Sequence, residues 1–131
     1  MDSRPRRGGV VLRVDGKLFF VPVPVARSVA RIPRVTTVPG APADLIGVAM
    51  HEGAVVPVLT IGPARSEMVL CHCGGETVGL VGGEVVRTGL FDPDPDPACP
   101  DGIAFEEQRV GPLDVAAIYA RVEAGRGRGR S

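Results

Sequence analysis

The chain has 131 residues and no formal net charge, with 31 glycines and prolines together against four Phe, one Tyr and no Trp. That length suits one domain or two very small lobes sharing a core, and a valine-rich chain cut up by Gly and Pro favours strands and turns over long helices. The charge is uneven: residues 1–9 carry +2 and residues 125–131 carry +3, leaving −5 on residues 10–124, and a mildly acidic body is a poor nucleic-acid surface.

Residues 1–9, with Arg4, Arg6 and Arg7 against Asp2, read as a disordered basic tail. They have no apolar core behind them and so do not form a secretory signal. No apolar run approaches the roughly 20 residues that a membrane span needs, so a cytoplasmic protein without direct membrane contact is expected. Three cysteines do not make a complete disulfide framework.

From Val10 the apolar positions alternate, with Val10, Leu12 and Val14 on one face and Val11, Arg13 and Asp15 on the other. Asp15-Gly16 is a tight-turn signal, and "KLFFVPV" follows as the second strand of a hairpin. In "PVARSVARIP", Val25, Val29 and Ile32 recur at helical spacing, which predicts one short amphipathic helix opened by Pro24 and closed before Pro33. "RVTTVPGAP" returns to extended chain. "DLIGVAM" and "AVVPVLTI" then read as two strands joined at "HEG".

The same grammar starts again after "GPARS" at 62–66. "EMVLCHC" and "ETVGLVG" flank the hairpin signal Gly74-Gly75, and "EVVRTGLF" is a further strand. "DPDPDPACPDG" alternates Asp92, Asp94 and Asp96 with proline, which favours a solvated, extended spacer over a calcium loop. Leu113, Ala117 and Tyr119 suggest a last helix, and "GRGRGR" within 125–131 reads as a disordered Arg/Gly tail. "VVPVLTI" ends the first half much as "VGPLDVAAI" ends the second, so two related β lobes are expected, about 10–65 and 66–124.

Candidate chemistry is thin. His51 and Glu52 are adjacent, and the position where an HExxH zinc site needs its second His is Val55. On a strand, Cys71 and Cys73 share one face and His72 takes the other, so "CHC" reads first as core cysteine. A small metal or redox protein built on Cys71, His72, Cys73 and Cys99 stays open as an alternative, as does RNA contact through the arginine tails. No G-x-S-x-G elbow, Walker loop or dinucleotide fingerprint is present. A non-enzymatic binding protein without cofactor or metal is the reading that remains.

"VPGAPADLIGVAMHEGAVVPVLTIG" at 38–62 resembles the signature of the CheW-like coupling proteins of bacterial chemosensory arrays. "FFVPVPVARSVARIP", "GGETVGLVGGEVV" and "VGPLDVAAIYA" resemble further segments of that family in the same order, over about residues 10–122. The resemblance implies a mostly-β fold of two five-stranded SH3-like barrels packed together, with short helices. It also implies an adaptor joining the cytoplasmic tip of a methyl-accepting chemoreceptor to the regulatory domain of a CheA-type histidine kinase, recruited to receptor arrays. Carried over by position, the kinase-facing edge would involve Ser28, Gly47, Val48, Met50 and Gly53. The receptor helix would lie in the groove between lobes at Val23, Ala26, His51, Glu52, Val85 and Thr88.

The chain departs from the pattern where Met50-His51-Glu52-Gly53 replaces Asn-Leu-Arg-Gly, where Thr60 replaces Asp, and where Gly82-Gly83 replaces Val-Asp. Glu52 reverses a charge and would favour a basic partner surface. These departures suit a divergent coupler of a non-flagellar system. They also admit a module that has lost one partner and acts as a self-associating regulator.

Overall fold

The structure, a computed structural model, describes residues 4–128. Its first unit is the expected hairpin, β1 (Arg7–Val14) and β2 (Lys17–Pro22). Asp15 and Gly16 both have positive φ, 50° and 78°, the backbone twist that a two-residue hairpin needs and that Asp-Gly supplies at little cost. β3 (Ala26–Arg31), β4 (Leu45–His51), β5 (Ala54–Thr60), β6 (Ala64–Cys73) and β7 (Glu76–Gly82) follow. β8 (Glu84–Pro93), β9 (Ile103–Phe105), β10 (Gln108–Val110) and one helix, α1 (Val115–Arg128), complete the described residues.

These strands form two five-stranded sheets, ordered β10-β9-β8-β1-β2 and β3-β6-β7-β5-β4. Each curls until its ends meet. In the first, Phe20 of β2 donates to the Gly111 carbonyl at 2.9 Å and accepts from the Leu113 amide at 2.8 Å. In the second, Thr36 and Val48 exchange hydrogen bonds of 2.8 and 2.9 Å and bring the chain after β3 onto β4. Curling this way covers edges that would otherwise invite foreign strands. The result is the expected mostly-β pair of SH3-like lobes.

The division of the chain between lobes is not the one expected. A boundary near residue 65 is corrected by the pairing of β1 with β8, which places the N-terminal hairpin in one lobe with the C-terminal strands and leaves residues 26–82 to the other. The tails shorten too. Arg7–Gly9 belong to β1 and α1 runs to Arg128, while residues 1–3 and 129–131 lie outside the described residues.

Alternation assigns the core. Val11, Phe20, Phe91, Ile103, Phe105 and Val110 fill the first lobe, with Phe91 packed edge-on against Phe20 and Phe105 at centroid distances of 5.7 and 5.9 Å. Ala49, Val56, Val58, Met68, Leu70 and Val81 fill the second. The intervening positions of the same strands, among them Val10, Leu12, Val69, Cys71 and Cys73, meet between the lobes under Val115, Ile118 and Val122 of α1. Asp114 opens that helix by accepting the Ala117 amide at 2.9 Å.

Two further expectations are corrected. Residues 24–32 do not form a helix: β3 pairs with β6 through Ser28↔Leu70, Val29↔Val69 and Ala30↔Met68. So short a window is a marginal helix on its own, whereas the edge of β6 offers backbone partners at once. The Asp-Pro run is not a free spacer either. Asp94 is buried and bonded to Arg109, so the segment after β8 is anchored.

Candidate functional site

The lobes meet along a groove of about 560 Å³. β1 and β8 supply one wall through Gly8, Gly9, Val10, Thr88, Gly89 and Leu90; Val23 and the β3 residues Ala26, Arg27, Ser28 and Val29 supply the other. The Val23 amide donates to the Gly8 carbonyl at 2.9 Å and so ties the two walls together. Glycine keeps the floor low. Val23 Cγ2 and Leu90 Cδ2 stand 3.6 and 3.7 Å from where a Gly8 side chain would begin, and both residues are well exposed, at 59% and 66%. Large apolar side chains exposed together beside a concavity mark a place where another molecule binds. Among the described residues Arg27 is the only charged one of the lining.

Four expected residues therefore converge here: Val23, Ala26 and Thr88 from the inferred receptor set, and Ser28, which was expected on the kinase-facing edge. Val85 does not join them; it lies half-buried against the core between the lobes. His51 and Glu52 do not join them either. They form the β4–β5 turn, where Glu52 has φ 50° and Gly53 φ 80°, with His51 Nε2 3.8 Å from the Glu52 carboxylate. Gly8, Leu90 and Arg27 were missed by sequence reasoning. Leu90 had a signal: next to core Phe91 on a strand, it must face outward.

The remaining expected residues gather on β4. Val48 and Met50 line a second cavity of about 350 Å³ with Pro33, Arg34, Thr36, Ala49 and Val55. Met50 and Val55 pair across the strands and are 60% and 65% exposed, which makes a second apolar patch at the β4–β5 edge of the lobe that contains β3. Gly47 shapes this edge. Its φ of 155° and the closeness of the Thr36 carbonyl leave no room for a Cβ, so only glycine lets the 32–36 segment lie against β4. Gly53 closes the neighbouring turn.

The cysteines are not assembled with His72. Cys71 and Cys73 are buried between the lobes, His72 is exposed on the opposite face, and Cys99 follows β8 beside Arg109. Burial, and then the neighbouring Cys73, pushes the Cys71 thiol up to about 12; burial also raises Cys73. Such thiols stay protonated and inert. Among the described residues no group of three or more His, Cys, Asp or Glu side chains is placed to hold a metal ion. No helix there is long and apolar enough to cross a membrane.

A model of the CheW-like domain family matches residues 8–98, a span that includes every residue lining the two apolar sites. Among solved structures, the crystal structure of the scaffolding protein TtCheW from Thermoanaerobacter tengcongensis is similar with a TM-score of 0.70. The likeness covers 88% of this chain and 93% of that one at 16% identity, and speaks for the fold. No curated protein sequence matches the chain.

Proposed function

The chain belongs to the CheW-like domain family, and from that premise we propose that it is a non-enzymatic adaptor coupling a methyl-accepting chemoreceptor to a CheA-type histidine kinase. The observation that best supports this reading is the convergence of Val23, Ala26 and Thr88, three of the residues expected in the receptor groove, on one apolar groove between the lobes. The receptor's cytoplasmic tip is a helical hairpin, and an amphipathic helix docks by laying its apolar face in such a groove. The regulatory domain of the kinase takes the second patch, at the β4–β5 edge, where Val48, Met50, Val55 and the His51–Gly53 turn are accessible. Two weak sites on one small protein gain strength by avidity once several partners are gathered in an array.

Glu52 and Thr60 stand where the family pattern has Arg and Asp, and this supports a divergent coupler serving a non-flagellar system. It acts in the cytoplasm, where receptor tips and kinase are found together. Titration of the full chain with receptor-tip and kinase regulatory-domain fragments from the same genome tests the proposal. Binding to both is expected. Binding to one alone favours a module that has lost a partner, and binding to neither removes the coupling role.

A further inference from the structure

Arg27, Arg31 and Arg34 fall within eight residues on β3 and the segment after it, and all three are exposed. The other arginines whose side chains are described are engaged. Arg6, Arg13, Arg109 and Arg121 pair with carboxylates, Arg7 and Arg65 donate to backbone carbonyls, and Arg87 lies over the Phe105 ring. The guanidinium groups of Arg27, Arg31 and Arg34 make no ion pair, hydrogen bond or ring contact among the described residues. Arg31 faces Glu67 in strand register, yet no ion pair joins them. Charge on an edge strand discourages unwanted pairing, but that does not explain why, among the described residues, Arg27 is the only charged one lining the groove and Arg34 the only one lining the Met50–Val55 cavity.

We propose that the groove selects an amphipathic helix of a partner protein by charge, with its apolar stripe on Val23 and Leu90 and acidic residues beside that stripe meeting Arg27 in the lining and, where the helix runs on past the groove, Arg31 at the end of β3. The proposal rests on the reading of the groove as a helix site and adds which helices it accepts. It also relocates the charge preference suggested by Glu52, because that carboxylate sits on the β4–β5 turn and not in the groove lining. A second copy of the chain is a poor occupant, since Val115, Ile118 and Val122 of its one described helix are already buried in its own core. Guanidinium groups without intramolecular partners are free to pair with incoming carboxylates, which steers docking and penalises a basic helix by like-charge contact.

The test uses the full chain and two synthetic helical peptides with the same leucine stripe, one flanked by Glu and one by Lys. Fluorescence anisotropy should show the acidic peptide binding about fivefold tighter at low ionic strength, the scale of one or two exposed ion pairs. The margin should shrink in high salt. The double variant Arg27→Glu with Arg31→Glu should reverse the preference, and Arg27→Gln with Arg31→Gln should erase it; circular dichroism confirms that each variant is folded. Equal binding of the two peptides, or a preference unmoved in folded variants, overturns the proposal. So does a concentration-dependent dimer abolished by Val23→Asp, because a second copy would then fill the groove. If the acidic preference holds while the receptor-tip fragment fails to bind, the receptor reading fails and this inference stands. If the receptor tip binds wild type and the Arg27/Arg31 variants equally, the reverse is true.

Discussion

Arg109 holds Asp94 across the end of the first lobe, its Nε 3.0 and 3.1 Å from the two carboxylate oxygens. Asp94 is the one buried charged residue among those described, at 4% exposure, and it also accepts the Asp96 amide at 2.9 Å. The Asp96 amide first, and then the Arg109 guanidinium, hold its carboxyl below the ordinary range, against the opposing effect of burial. A depressed folded-state value means that the stabilisation is present above the unfolded value of about 4 and is lost as the pH falls through the folded one. Thermal unfolding followed from neutral to acid pH should therefore show Tm falling below about pH 4. Asp94→Asn should lower Tm at neutral pH and flatten that acid limb. An acid limb as steep in the variant as in wild type would contradict this account.

Gly47 is the second point of leverage. Substitution by Ala forces a Cβ toward the Thr36 carbonyl at a φ that L-residues rarely adopt, and it strains the paired hydrogen bonds between Thr36 and Val48. A backbone forced into such a region costs about 1–3 kcal/mol. Gly111→Ala is the control: nothing lies within 4 Å of its Cβ position, and the expected change is within about 0.5 kcal/mol. Equal urea midpoints for the two variants would remove the steric role given to Gly47.

What the sequence made legible was local. Asp15-Gly16 and Gly74-Gly75 marked their hairpins because few residue pairs suit those turns, and alternation placed Cys71 and Cys73 away from His72 on β6. Residues 24–32 misled because Val25 and Val29 do pack against one cluster, as they would from a helix. A bulge between Ala26 and Ser28 lets a strand do the same. Pairing of Gly9 with Gly89 and of Asp94 with Arg109 joins residues far apart in the chain, and no local pattern announces such a partner. Hence the interleaved lobes and the anchored acidic segment were not foreseen. The groove was partly legible: resemblance supplied Val23, Ala26 and Thr88, whereas Leu90 and Arg27 needed the two sheets brought together.

Thiol reactivity should separate the cysteines. Cys71 and Cys73 are buried and held protonated, while Cys99 is partly exposed with Arg109 Nη2 3.3 Å from its sulfur. Alkylation of the native protein near pH 8 should label one thiol, Cys99, and three after denaturation; mass spectrometry reads the sites. Because burial disfavours the Cys71 thiolate, ionisation above the ordinary thiol value near 9 favours the unfolded chain, and stability falls as the pH rises from there to about 12. Cys71→Ser should therefore lessen alkaline destabilisation across that window, although its hydroxyl also weakens the core at neutral pH. Native labelling of Cys71 ahead of Cys99 would count against the burial argument.

The two apolar surfaces should be separable by mutation because one lies between the lobes and the other at the β4–β5 edge, and they share no lining residue. Leu90→Ser removes an exposed groove side chain that a docked helix would cover, and Met50→Ser does the same at the β4 edge. Each side chain buried on docking contributes about 1.5 kcal/mol, or roughly tenfold in affinity. Leu90→Ser should therefore weaken the receptor-tip fragment about tenfold and leave the kinase fragment unchanged, while Met50→Ser should do the converse. Neither should lower Tm appreciably, since both side chains already face water. Isothermal titration of each variant against both fragments decides the matter. If both variants weaken the same fragment, the two patches form one extended interface, and the assignment of one patch to each partner fails.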